Sequence, residues 1–154
     1  MMRQASLLAL LAFSALVHAQ ANKVAGTWKG SLQISAPAEM KSQVPPASQL
    51  PKLDMTLKGD GTYTATMTQP SQQGKSQTKV EGTWKLQGQD LTITPKTRDG
   101  KPATGEAAKP RVYKLSPDGK TLTLDLTADM RRAAQNSKEK GADKVTMKVV
   151  LKKA

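Results

Sequence analysis

No cysteine occurs in the 154 residues, and the one histidine is His18. The absence of cysteine excludes disulfides, thiolate nucleophiles and sulfur-ligated zinc. With a single histidine there is no imidazole pair for a metal, and no metal site is expected. If residue 18 is removed with a leader, no Ser-His-Asp or Cys-His relay remains either. Aromatic residues are 3% of the chain, and beyond residue 20 they are only Trp28, Tyr63, Trp84 and Tyr113. Proteins that hold single-stranded nucleic acid stack bases on exposed aromatic side chains. Here all four fall on inward positions, so nucleic acid is disfavoured as a partner despite the basic charge.

Long apolar runs are also missing. The longest, residues 7–17, covers eleven positions, against the roughly 20 needed to span a bilayer. It follows Arg3 and precedes small residues at Val17, Ala19 and Ala21, which is the pattern of a secretory signal peptide. Residues 1–19 are therefore expected to be removed, with cleavage after Ala21 as the other fit, leaving a domain over 22–154 that is periplasmic or secreted and not transmembrane. From Gln20 onward the chain has 23 basic and 12 acidic residues, a net charge of +11. More than half of that excess lies in residues 131–154, where Arg131, Arg132, Lys138, Lys140, Lys144, Lys148, Lys152 and Lys153 face two acids.

What is present is alternation. Side chains along a strand point to opposite faces in turn, so a half-buried strand shows apolar residues at every second position. Trp28, Leu32 and Ile34 do so, as do Leu53, Met55 and Leu57; Tyr63, Ala65 and Met67; and Val80, Trp84 and Leu86. Leu91 with Ile93, Tyr113 with Leu115, and Leu122, Leu124 and Leu126 continue the pattern, which ends on Val145, Met147, Val149 and Leu151. The other parity is threonine and lysine, a solvated face suited to extended backbone. Eight one-faced strands must close on themselves or pair as two sheets. Gly59-Asp60-Gly61 and Ser116-Pro117-Asp118-Gly119 supply short hairpin turns between strands, implying up-and-down order.

Three segments break the alternation. Residues 36–51 and 95–110 are proline-rich and expected to lie outside the sheet; the composition of the second predicts disorder. Residues 127–141 predict one short helix before the last strand, capped at its start by Thr127 or Asp129 and ended by Gly141, with Met130, Ala133 and Ala134 as an apolar stripe.

A tetrapeptide is repeated: AGTWKG at 25–30 and EGTWKL at 81–86 share a Gly-Thr-Trp-Lys core. A glycine before Thr-Trp lets the backbone bend, and the inward Trp then plugs the core, so two such strands would supply two plugs. Gly26-Thr27-Trp28 resembles the opening signature of lipocalins. The runs DGTYTATM, 60–67, and GTWKLQGQDLTIT, 82–94, resemble bacterial lipocalin-like domains, whose lid lies between the first two strands, where 36–51 stands here. The resemblance implies an all-β, eight-stranded up-and-down antiparallel barrel. Lipocalins also place an arginine beyond the last strand to cover the Trp; Lys152 and Lys153 occupy that region.

The chemistry that remains is sparse. Asp60, Asp99 and Asp118 each precede a glycine and read as turn residues rather than acids or bases. The Ser-x-x-Lys pairs Ser76/Lys79 and Ser137/Lys140 lack partner motifs, and Gly74-Lys75-Ser76 and Gly119-Lys120-Thr121 lack the first glycine of a phosphate loop. Among the methionines, Met55, Met67 and Met147 lie in inward register, which favours core filling over a copper site. The expected protein is not an enzyme and needs no cofactor. It is a binding module taking a small apolar ligand among Trp28, Met55, Tyr63, Met67, Trp84 and Met147. The alternative is a non-catalytic interaction protein or protease inhibitor whose basic surface meets an anionic partner in the cell envelope.

Overall fold

The computed structural model describes residues 23–137 and 142–154. The expected leader with its cleavage positions, and also Lys138, Lys140 and Gly141, lie outside them. In chain order come β1 (Gly26–Ser35), β2 (Lys52–Leu57), β3 (Thr62–Ser71), β4 (Gly74–Gln87), β5 (Asp90–Arg98), β6 (Lys101–Pro102), β7 (Arg111–Leu115), β8 (Thr121–Asp125), helix α1 (Thr127–Ser137) and β9 (Thr146–Lys153). Every pairing is antiparallel. β1 pairs with β2 on one side and β9 on the other, while β4 pairs with β5, which closes the sheet into a ring. Eight strands form the barrel; β6 is a two-residue stub on the end of β5. The up-and-down order holds, with α1 and then a 3-10 turn, Ala142–Lys144, before the last barrel strand.

Alternation decides which side chains fill the barrel. Trp28, Met55, Leu57, Leu91, Leu122 and Leu151 are at most 1% exposed and pack with Val24, Tyr63, Ala65, Trp84, Ile93, Tyr113 and Leu115. These buried residues gather toward one end, where the short β2–β3, β4–β5 and β7–β8 turns lie. Asp60 and Asp118 hold two of those turns: Thr62 N donates to Asp60 Oδ1 at 2.9 Å, and Lys120 N to Asp118 Oδ1 at 3.0 Å.

The two Gly-Thr-Trp segments serve this closed end. Gly26 has φ +129°, a conformation that side-chain-bearing residues rarely adopt. A Cβ on Gly82 would lie 2.1 Å from the Thr94 carbonyl oxygen, because β4 meets a bulge in β5 there. Both glycines bring a tryptophan inward. Trp28 Nε1 donates to Val24 O at 2.9 Å and Trp84 Nε1 to Lys58 O at 3.0 Å, so neither indole N–H is stranded in the core. Lys153 takes the covering role over Trp28: its ammonium sits 5.8 Å from the ring centroid and donates to Lys23 O at 3.0 Å.

Two expectations are corrected. Residues 95–110 are ordered: β5 runs through Pro95 to Arg98, turns at Asp99 and Gly100, and returns as β6 before a 3-10 turn at Gly105–Ala108. Pro95 is tolerated because it lies at the bulge, where Lys96 is the extra residue between the Gly82–Pro95 and Glu81–Thr97 pairs. Asp99 (φ 51°) and Gly100 (φ 78°) make the tight turn, and Asp99 exchanges two 2.8 Å hydrogen bonds with the Lys79 backbone. The second correction is the helix start. Leu126 O accepts the first helical bond, from Met130 N, so Thr127 is already inside the helix.

Candidate ligand-binding site at the open end of the barrel

At the opposite end the barrel is not filled by its own side chains. There β1 runs out into the 36–51 segment, α1 crosses before β9, and two adjoining hollows share Met147, the inner one almost wholly apolar and the outer one of mixed polarity. The inner one, about 190 Å³, lies in the barrel mouth between Leu32 of β1, Leu53 of β2, Met67 of β3, and Met147 and Val149 of β9. The outer one, about 510 Å³, lies beneath the lid and is lined by Met40, Val44 and Pro45 from it, Ile34 of β1, Met130 and Ala134 of α1, and Met147. Lys52 is the charged residue on the rim of the inner hollow.

The sequence builds this lid locally. Pro37 and Pro46 each precede a 3-10 turn, Ala38–Gln43 and Ala47–Gln49, closed by Met40 N to Pro37 O and Gln49 N to Pro46 O, both 2.9 Å. The lid returns to the barrel where Leu32 N donates to Pro51 O at 3.0 Å and Leu50 is buried. Across the mouth its visible charged tie is Glu39 to Lys144, 3.9 Å between two exposed side chains.

The helix is held more firmly. Thr127 Oγ1 accepts from Met147 N at 3.1 Å, and Leu126 N donates to Met147 O at 2.9 Å, so the start of α1 is bonded to the strand position that lines both hollows. Arg111 of β7 pairs with Asp129 at 2.7 Å, and Arg131 donates to Asp143 O at 2.7 Å. Asp125 Oδ1 accepts from Thr127 N at 2.9 Å, and hydrogen bonds from Thr127 hold its carboxyl below the usual range.

The six expected ligand residues divide by depth. Trp28, Met55, Tyr63 and Trp84 are all enclosed, at 7% exposure or less, whereas Met67 and Met147 line the mouth. Burial raises both tyrosine pKa values, Tyr113 to about 12 and Tyr63 further, so the two phenols stay neutral. Sequence reasoning missed Met40, Leu32, Ile34, Leu53 and Val149 as lining. It found Met130 as part of a helix stripe, and only closure of the ring shows that this stripe faces the same end as the lid.

The basic cluster is spread over separate tasks. Lys153 covers Trp28, Arg131 binds the Asp143 carbonyl and Lys144 meets Glu39. Lys148 and Lys152 face outward on β9, where their strand partners are Gln33 and Asp125 for the first, and Lys29 and Thr121 for the second. Arg132 is exposed on α1.

Among the described residues no cluster of histidine, cysteine and carboxylate side chains could hold a metal, and no helix is long and apolar enough to cross a membrane. The chain's sequence matches the family pattern of the lipocalin-like domain over residues 24–125. That is well over half its length, and together with the closed eight-stranded barrel it shows that the chain belongs to the lipocalin-like family. No curated protein matches the chain.

Proposed function

We propose that this protein is an exported, non-catalytic carrier or sensor that takes a small, flexible apolar molecule at the open end of the barrel. The observation that carries this reading is the pair of hollows sharing Met147, one in the barrel mouth and one under the lid, lined by aliphatic and thioether side chains. Such a lining contributes through burial of apolar surface, about 25 cal/mol per Å², with few polar groups to discriminate among shapes. Membership of the lipocalin-like family supports small-molecule binding in general. The Arg3 and 7–17 pattern supports export. The lack of histidine and cysteine after residue 18 supports a non-catalytic role.

The test is titration with fluorescent aliphatic probes, read through the probe because both tryptophans sit at the closed end. Saturable uptake is expected, together with a co-purifying apolar molecule in native mass spectra of protein from its own cells. A probe signal that never saturates would overturn the reading. The second reading, contact with an anionic envelope surface, is favoured by the outward Lys29–Lys152 pair across β1 and β9. It predicts retention on anionic vesicles that weakens steeply as salt rises.

A further inference from the structure

Five methionines follow residue 20, and core filling accounts for only one of them. Met55 is 1% exposed inside the barrel. The other four surround the open end: Met40 comes from the lid, Met130 from α1 and Met147 from β9, and all three line the outer hollow. Met67, 39% exposed, lines the inner hollow with Met147. An apolar lining does not require sulfur, since leucine has nearly the same volume and burial energy. What a thioether adds is a soft, uncharged lone-pair donor that does not compete for protons.

The rest of that hollow sharpens the preference. Its other lining residues are aliphatic apart from the Gln43 amide, and it contains no carboxylate, imidazole or thiolate. The nearest acids on the lid and helix are engaged, Glu39 with Lys144 and Asp129 with Arg111. A hard divalent cation, which needs several charged oxygens, finds no ligand set. A soft monovalent d¹⁰ cation finds three neutral sulfurs arriving from three separate elements. Each is carried on a side chain with three rotatable bonds, so they can converge without moving the sheet.

We propose that Met40, Met130 and Met147 form a three-thioether site for a soft monovalent cation, of which Cu(I) is the biological example. The site does not rest on the apolar-ligand reading, and it gives the lid a second reason to close over the mouth.

Silver(I) nitrate in chloride-free buffer is a redox-silent probe of such a site. In protein carrying ¹³C-methyl methionine, the methyl signals of Met40, Met130 and Met147 are expected to shift together and saturate near one equivalent, while Met55 stays unmoved. Met40→Leu lies on the lid, outside the sheet, so the barrel should fold as before. It is expected to weaken silver binding by at least the roughly tenfold that follows loss of a mere outer-shell partner of a metal. The urea midpoint should stay unchanged in that variant, and uptake of an aliphatic fluorescent probe is followed alongside. The proposal is overturned if the three signals do not shift, if all five methionines respond alike, or if Met40→Leu binds silver as tightly as the original protein. Because probe uptake is measured in the same samples, loss of the apolar-ligand reading would register separately.

Discussion

Gly30 lies on β1 opposite Leu151 of its antiparallel neighbour β9. A Cβ there would fall 1.8 Å from the Val150 carbonyl oxygen and 2.7 Å from its carbon, both backbone atoms that can retreat only by parting the strands that close the barrel. Gly30→Ala is therefore expected to destabilise at or above the top of the ~1–3 kcal/mol range for overpacking, measured by urea unfolding. Gly59→Ala, where the same atom meets nothing within 4 Å, should stay within about 0.5 kcal/mol. The tyrosines give a second prediction at this scale. Burial raises the Tyr113 pKa to about 12, above the unfolded value of 10.0. Its contribution to stability is thus fully present below the unfolded value and is lost as pH rises through the folded one, because the unfolded chain ionises first. Urea midpoints should fall between pH 10 and about 12, and Tyr113→Phe should flatten that part of the fall; an identical decline in the variant would count against it. The roles of Trp28 and Trp84 were legible as inward plugs from the repeated Gly-Thr-Trp. Their carbonyl partners, at Val24 and Lys58, were not, since those bonds depend on how the chain returns around each ring.

Among the elements, all eight barrel strands were readable, because alternation is a local consequence of strand geometry and the Thr/Lys face repeats it in reverse. At 95–110 the prolines predict a segment outside the sheet, and a stronger local signal overrides them. Asp99-Gly100 is a tight-turn dipeptide, and it alone argued for a hairpin between β5 and β6. The lid shows the opposite limit. Its prolines correctly excluded it from the sheet, yet nothing in 36–51 says which end of a barrel it covers until β1 and β9 are paired. Its energetic independence is testable. No residue of either 3-10 turn is buried, and the visible charged tie across the mouth is the exposed Glu39–Lys144 pair. Replacing 36–49 by a Gly/Ser segment of equal length, with Leu50 and Pro51 retained, should change the unfolding free energy by less than about 1 kcal/mol. The same change removes Met40, Val44 and Pro45 from the outer hollow, so probe affinity should fall while the barrel persists. Retained affinity would mean that the lid plays no part in binding.

Taken as a whole molecule, the barrel is asymmetric along its axis: a closed half filled by Trp28, Trp84 and the leucines around them, and an open half whose inward residues meet a lid and a helix instead of one another. The sequence showed that Met55, Met67 and Met147 all point inward, and period-two reasoning goes no further, because depth along the axis depends on strand stagger that only the closed ring defines. Met55 lies one inward position deeper on β2 than Leu53, which already belongs to the mouth. That single step separates core from site, and two tryptophan substitutions measure it. Met55→Trp adds volume where exposure is 1% and is expected to cost about 1–3 kcal/mol by overpacking, while leaving the mouth lined as before. Met147→Trp adds the same ring at the position common to both hollows, where there is space to receive it, so stability should move by less than about 1 kcal/mol and uptake of an aliphatic probe should be blocked. If Met55→Trp abolishes uptake and Met147→Trp does not, the ligand enters the barrel core and the mouth is only its vestibule. If neither affects uptake, binding lies elsewhere on the molecule and the open end is not the site.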